Sequence, residues 1–289
     1  MVTKSMPASI KKESKGVVKR LFLLFVGVLL LCSPTAYGWG RVGHATIAKI
    51  AEDHLTPKAK KMIARYLNGE SIVAYASYPD DYRDDYTFDL GWEPSNSPRV
   101  VVWSHAYQAN PDGTLFEGER KGTEYVRNCT VRIDALIKEF KANHKTMSDE
   151  ERIKTLALIV HIVGDIHCPK HVRYFGEPAS SKVKVKFNGK NTTVHKYWDG
   201  GCLEFYHRWG YSDVARLLDC LDKRAIAKVQ QGDIYSWAAE NAKGSLYTLA
   251  VKADDTISRE MSNKDIKYAE VQVQRAGYRL AAVLNSIFK

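Results

Sequence analysis

The sequence predicts a mostly α-helical protein with one small β-hairpin, and three observations carry that expectation. Apolar residues recur at helical spacing through most of the chain, as in VGHATIAKIAEDHL and TLALIVHIVGD. Helix start and stop signals bracket several of these runs. One stretch, KVKVKFNGKNTTVHKYW, alternates instead, with Asn188-Gly189 at its centre, which is the signature of a hairpin. No internal repeat or low-complexity linker divides the chain, and its length suffices for one large core. A single domain follows, with its polar ligands gathered in a cleft between helices.

The chain opens on a basic segment, MVTKSMPASIKKESKGVVKR, followed by the apolar run LFLLFVGVLLLC and then SPTAYG. That order reads as a secretory signal over residues 1–38, ending in the small-x-small triplet Ala36-Tyr37-Gly38. The apolar run is short for a membrane span, although the long basic region leaves an uncleaved anchor as the alternative. Leu31 stands before Cys32 where a lipoprotein would need a small residue. Cleavage after Gly38 makes Trp39 the mature N-terminus, so a secreted or periplasmic monomer is expected, without stable membrane association. A free α-amine there becomes a zinc donor once deprotonated.

The formal net charge is +10. Residues 1–38 hold six Lys/Arg and one Glu, so their removal takes five of those ten charges and leaves +5. A mildly basic protein favours anionic substrates, but +5 is too weak for a nucleic-acid clamp built on charge alone.

Thr56-Pro57 reads as N-cap and first-turn proline for KAKKMIARYL, which Asn68-Gly69 ends. SIVAYASYPDDYRDDY places Asp80, Asp81, Asp84 and Asp85 close together; such a cluster is usually a solvated loop, with a metal ligand among them as the other reading. Residues 86–118 are aromatic and rich in Pro and Gly, and read as irregular apart from a short strand-like run before His105. EYVRNCTVRIDALIKEF reads as a helix. SDEERIKTLALIVHIVGD is another, with Ser148 as N-cap and Glu151 at the capping-box position. After the hairpin the pattern returns to helix: SDVARLLDCLD, RAIAKVQQ, DIYSWAAENAKGSLYTLA and YAEVQVQRAGYRLAAVLNSIF.

The chemistry concentrates between His161 and Asp199. HIVGDIHCPKH contributes His161, Asp165 and His171, and HKYWD contributes His195 and Asp199. His161 and Asp165 lie four apart in a helical run, so both face one side, and His195 and Asp199 share that spacing. The bland reading is a pair of core histidines with two helix-face ion pairs. Five nitrogen and oxygen donors in so short a span point instead to zinc, and in a catalytic rather than a structural site. Five donors exceed one tetrahedral zinc, so more than one ion and further ligands from elsewhere are expected. Of Cys129, Cys168, Cys202 and Cys220, the pair Cys168–Cys202 is the favoured disulfide, since each follows a ligand aspartate by three residues. Cys168 as a zinc ligand is set aside, because the His/Asp set is already sufficient. His54, His144, His167 and His207 have no ligand role, although His167 stands close enough in sequence to hydrogen-bond a ligand.

The phrases WGRVGHATIAKIAE, ASYPDDYR, HIVGDIHCPKH, HKYWD and AGYRLAAVLN together resemble the S1/P1 nuclease family, exported zinc enzymes more distantly similar to bacterial zinc-dependent phospholipase C. The resemblance covers the chain from Trp39 onward and implies a helical fold of the phospholipase C/P1 nuclease type. It implies three zinc ions per chain: one on Asp80, His105, His161 and Asp165; a second on the Trp39 amine and carbonyl, His44 and Asp165, with Asp165 bridging; a third on His171, His195 and Asp199. A metal-bridging hydroxide would be the nucleophile, and Arg83 would clamp the phosphate, the plain alternative being an ion pair within its Asp-rich loop. Asp80, Arg83 and Asp165 are thus the expected catalytic set. The implied substrates are single-stranded DNA or RNA and 3′-nucleotides; a phospholipid-cleaving enzyme of the same chemistry and a non-catalytic zinc-binding protein are the competing readings.

The chain departs from the family pattern along the substrate wall. Ala106 and Gln108 stand where the family has an aromatic and an acid that hold a base. Cys168-Pro169-Lys170-His171 replaces Gln-Pro-Leu-His, YFGEPASSKV lacks the usual Gly-Gly-Asn, and Thr193-Val194 replaces Asn-Leu. Tyr107 and Tyr174 are the remaining candidates for a stacking face.

Overall fold

The computed structural model describes residues 39–81, 107–109, 118–121, 124–127, 129–174, 180–245 and 251–289. Arg83, His105 and the N-terminal leader lie outside those residues.

The protein is mostly α, as the periodicity predicts. Its centre is a helix over Asp149–Asp165 (α5), buried continuously from Thr155 to Asp165. A helix apolar around its whole circumference has to be covered on every side. Helices α1 (Arg41–Asp53), α2 (Pro57–Tyr66), α4 (Cys129–Asn143) and α11 (Arg259–Ile287) cover it. A single turn, α3 (Tyr78–Asp81), packs beside it as well. The remaining helices are short: α6 (Val194–Lys196), α7 (Cys202–Tyr206), α8 (Tyr211–Leu218), α9 (Lys223–Val229) and α10 (Ile234–Ser245).

The caps act as read. The Thr56 side chain accepts from Ala59 N at 3.3 Å, with Pro57 in the first turn. Asn68 (φ 52°) and Gly69 (φ 86°) turn the chain left-handed after α2. Ser148 and Glu151 form a reciprocal capping box at the start of α5.

Strands are few and short. The expected hairpin pairs β5 (Lys184–Phe187) with β6 (Lys190–Thr193), antiparallel, Phe187 opposite Lys190. Asn188 (φ 48°) and Gly189 (φ 72°) are both left-handed, as a two-residue primed turn requires. β7 (Thr256–Ile257) adds in parallel to β5. β1 (Tyr107–Ala109) runs parallel to β4 (Val172–Tyr174), Tyr107 opposite Val172.

Two boundaries differ from expectation. The segment read as one helix from Glu124 begins as strand β3 (Glu124–Arg127), paired antiparallel with β2 (Gly118–Lys121), and the helix starts at Cys129. Tyr125-Val126 suits a strand once a partner edge lies beside it, and pairing is a tertiary decision. The last helix starts earlier than Tyr268, at Arg259, where the Ser258 hydroxyl caps Met261 N at 3.1 Å. A polar first two turns hid that start from an apolar-period reading.

Helix α1 crosses α11 closely. A Cβ on Gly277 would lie 2.6 Å from Cβ of Ile50, so only glycine permits this approach. Gly277→Ala is therefore expected to destabilise the protein by about 1–3 kcal/mol, read as a lower denaturant midpoint at unchanged slope. An unchanged midpoint would mean that the two helices are not held at this distance.

Candidate metal centre

Six segments converge at the C-terminal end of α5. His161 and Asp165 occupy its last turns, and His44 comes from α1. Asp80 comes from α3, and His171 from the turn before β4. His195 lies on α6 and Asp199 on the π-helical turn Tyr197–Gly201 that continues it. A π turn re-aims side chains locally, yet the four-residue spacing still brings His195 and Asp199 together. Trp39 closes the assembly: its buried indole donates to Gly164 O at 3.1 Å, and the next amide, Gly40 N, donates to Asp199 O at 2.5 Å. A Cβ on Gly164 would meet Nδ1 of His44 at 3.0 Å, so glycine here lets the His44 ring lie against α5.

The separations are informative. His44 Nε2 is 3.3 Å from Asp165 Oδ1, and His161 Nε2 is 3.4 Å from Asp165 Oδ2 and 3.7 Å from Asp80 Oδ1. His171 Nε2 is 3.4 Å from Asp199 Oδ1, and His195 Nε2 is 3.3 Å from Asp199 Oδ2. Elsewhere in the protein imidazole–carboxylate pairs close to hydrogen-bond distance: His54 with Asp219 at 2.9 Å, His207 with Glu270 at 2.7 Å. The edge of a tetrahedron of nitrogen and oxygen around zinc is about 3.3 Å, from bonds of about 2.0–2.1 Å. The site pairs are spaced as coordination edges, not as charge-assisted hydrogen bonds. His44 Nε2 and both carboxylate oxygens of Asp199 are buried and accept or donate no hydrogen bond. The rings stack in two pairs, His44 on His161 at 4.1 Å and His171 on His195 at 4.6 Å.

Outer partners set the tautomers. Nδ1 of His161 lies 2.9 Å from Ala76 O and donates to it, so a bound cation that displaced the proton from Nε2 would find that nitrogen's lone pair turned to the carboxylates. Nδ1 of His195 meets Ser180 Oγ at 3.4 Å, whose hydroxyl in turn donates to Lys170 O at 3.3 Å. Nε2 of His195 is thereby turned to Asp199.

Among the described residues the cluster is short of positive charge. Burial, then the nearby His161, pushes His44 down to about 4, so it is neutral. Burial opposes charge on His161 as well, but Asp165 and Asp80 outweigh it and raise that imidazole to about 9. Asp165 stays ionised well below the usual range despite its burial, because His161 and His44 face it. Asp199 shifts the other way: burial, then Asp165 and Asp80, push it well above the usual carboxylate range, and Lys196 offsets them only in part. Bringing a carboxylate into such a place costs several kcal/mol unless a cation compensates it.

Most of the predicted residues thus meet in one place: His44, Asp80, His161 and Asp165 in one group, His171, His195 and Asp199 in another, with Trp39 spanning both. Arg83 and His105 lie outside the described residues. Of the acidic cluster, Asp80 turns inward while Asp81 pairs with Arg41 at 2.5 Å. His167 does not reach the ligands. It is buried, donates from Nδ1 to Val163 O at 2.7 Å, and meets Arg279 Nη1 at 3.1 Å through Nε2. Burial and Arg279 hold it neutral, near 3. The Cys168–Cys202 disulfide is not made: both are buried free thiols. The Cys168 thiol faces the Trp198 carbonyl at 3.8 Å instead. Cys168, expected not to be a ligand, has its sulfur within 4.8 Å of donor atoms of His171 and Asp199. Its spacing, three residues from both Asp165 and His171, was the available signal.

Fold and site together define a helical protein with two buried groups of imidazole, carboxylate and thiol donors able to hold metal ions. Residues 39–289 match the family model of the S1/P1 nucleases, and the chain belongs to that family, whose members are phosphodiester-cleaving hydrolases of the endonuclease type. Endonuclease 2 of Arabidopsis thaliana is 26% identical over 279 residues, covering 90% of this chain and 94% of its own. Nuclease S1 of Aspergillus oryzae is 26% identical over 294 residues, covering 93% of this chain and 98% of its own. Nuclease P1 of Penicillium citrinum aligns over a shorter stretch, 165 residues at 26% identity, which is 56% of this chain and 57% of its own.

If these carboxylates are compensated by metal ions, removing the ions with a chelator should lower the melting temperature. A ligand at about a thousand times its Kd contributes about 4 kcal/mol, or on the order of 10 °C for a protein of this size. Adding zinc back should restore it; identical melting with and without chelator would show that the fold does not depend on metal.

Proposed function

We propose that the protein is an exported zinc-dependent nuclease and 3′-nucleotidase that hydrolyses single-stranded DNA or RNA. The observation that carries this is the set of imidazole–carboxylate separations at coordination-edge length in a buried cluster, in a chain of the S1/P1 nuclease family. Zinc, when bound, supplies Lewis-acid charge to a phosphoryl oxygen and brings the pKa of its water toward 7.

The chain's own residues then divide the work. Asp165 turns one oxygen to His44 and the other to His161, so one carboxylate serves two ions. Asp80 and His161 complete the first set together with His105. The Trp39 amine and carbonyl join His44 and Asp165 in the second set, supported by the buried indole that holds the residue against α5. His171, His195 and Asp199 hold the third. Three zinc ions per chain follow. Arg83 lies two residues beyond Asp81, and its planar fork suits a phosphate. The leader over residues 1–38 is removed, and the mature protein acts as a secreted or periplasmic monomer. Among the described residues no helix is long and apolar enough to cross a membrane.

The decisive experiment measures metal content and hydrolysis together on protein beginning at Trp39. About three zinc ions, with cleavage of single-stranded DNA, RNA and 3′-AMP, is the expected result. One zinc or fewer on protein never exposed to chelator removes the trinuclear reading, and cleavage of phosphatidylcholine alone replaces the nuclease with a phospholipase. Asp165→Asn should lower activity at least about tenfold more than Asp199→Asn, because its carboxylate serves two ions and ligand-shell changes typically cost 10–100-fold. Equal losses would mean that Asp165 is no bridge.

A second comparison isolates the N-terminus. An amide nitrogen is a poor zinc donor at neutral pH, so protein with residues left before Trp39 should bind one zinc fewer and hydrolyse orders of magnitude more slowly. Equal zinc and equal rates, with the extension confirmed by mass spectrometry, would take the α-amine out of the site.

A further inference from the structure

We propose that Cys168 is itself a metal ligand, completing the site formed by His171, His195 and Asp199 with a thiolate. The proposal rests on the zinc reading above and goes beyond it, since the resemblance provides a glutamine at this position and no ligand.

Geometry carries the assignment. The donors of Cys168, His171 and Asp199 lie within 4.8 Å of one another, and all three residues are buried. Both Asp199 oxygens are buried without a hydrogen-bond partner, so this group has a side chain aimed at something the protein does not supply. Cys168 is not consumed by a disulfide. Its contact with the Trp198 carbonyl, at 3.8 Å, is a weak restraint on a thiol.

The turn that presents the sulfur is built rather than loose. Cys168 N donates to Asp165 O at 2.9 Å, and His171 N donates back to Cys168 O at 3.1 Å. Between them Lys170 takes a left-handed conformation (φ 69°), which costs a non-glycine residue on the order of 1 kcal/mol. That twist folds His171 back over Cys168. Asn241 clamps the same turn from α10: its buried side-chain amide donates to Ile166 O at 3.0 Å and to Cys168 O at 2.9 Å. The backbone of Cys168 is thus fixed on both sides while its side chain shares a pocket with two metal-type donors.

Charge and coordination number agree. A divalent ion with one carboxylate and one thiolate is neutral overall, which suits a fully buried place better than an ion carrying a residual positive charge. The thiol proton leaves to solvent as the sulfur–metal bond forms. With His195, whose Nε2 is 3.3 Å from Asp199, four protein donors are present, and a four-donor zinc site is closed. This metal then anchors the turn and the π-helical segment together, and its soft sulfur favours cadmium substitution.

Two measurements test it. Protein beginning at Trp39, kept under reductant, stripped with chelator and reloaded with cobalt(II), should show a thiolate-to-cobalt charge-transfer band. That band should vanish in Cys168→Ser and persist in Cys220→Ser. X-ray absorption on the zinc-loaded wild-type protein should show a sulfur scatterer at about 2.3 Å, and this readout needs no variant to fold. Metal uptake with neither band nor sulfur shell would overturn the thiolate ligand and leave the zinc reading standing. A band unchanged in Cys168→Ser would assign the sulfur elsewhere and overturn it too. Failure to take up any metal would overturn both.

Discussion

Everything in this structure answers to one electrostatic problem: carboxylates buried at the end of an apolar helix. α5 is covered on all sides by other helices, and its last turns carry His161 and Asp165 into the protein rather than out to water. Asp80 and Asp199 arrive at the same place from other segments. Such charges are tolerated only where opposite charge meets them, and among the described residues Asp165 and Asp80 raise His161 against its burial. Two buried sets of metal-type donors are the form that answer takes.

The packing around α5 serves this arrangement directly. The close α1–α11 crossing at Gly277 holds α1 in place; α1 delivers His44 to the end of α5, and Trp39, just before α1, sets its indole on Gly164 O. From the other side, Arg279 of α11 pairs with Glu240, lies 5.1 Å over the Trp237 ring and meets His167. His167 in turn is tied to Val163, so the turn leaving α5 is held by charge and aromatic contacts on its far side. Asn241 secures the next residues. The ligand-bearing turn is therefore clamped at Ile166, His167 and Cys168 before His171 and Asp199 meet.

Elements with strong local signals were legible: Thr56-Pro57, the Ser148–Glu151 box and the Asn188-Gly189 turn act within a few residues of themselves, so their outcome needs no distant partner. His161 with Asp165, and His195 with Asp199, were legible for the same reason, since four-residue spacing alone puts each pair together. Strand β3 was not, because its ladder partner decides between strand and helix for Glu124–Arg127. The free state of Cys168 and Cys202 was not, because pairing of thiols depends on side-chain direction and not on distance along the chain.

The sequence by itself determined the helical class, the family and which His and Asp residues stand at paired spacing, because periodicity, caps and residue spacing are local properties of a chain. Only the tertiary structure decided how those donors are spaced, at coordination-edge rather than hydrogen-bond length. It also decided that Asp81 turns to Arg41 while Asp80 turns inward, that His167 belongs to Arg279, and that the Cys168 sulfur lies near the donor atoms of His171 and Asp199. Each of those is a choice between neighbours a few ångströms apart, made by packing from segments remote in sequence, and no spacing along the chain encodes it.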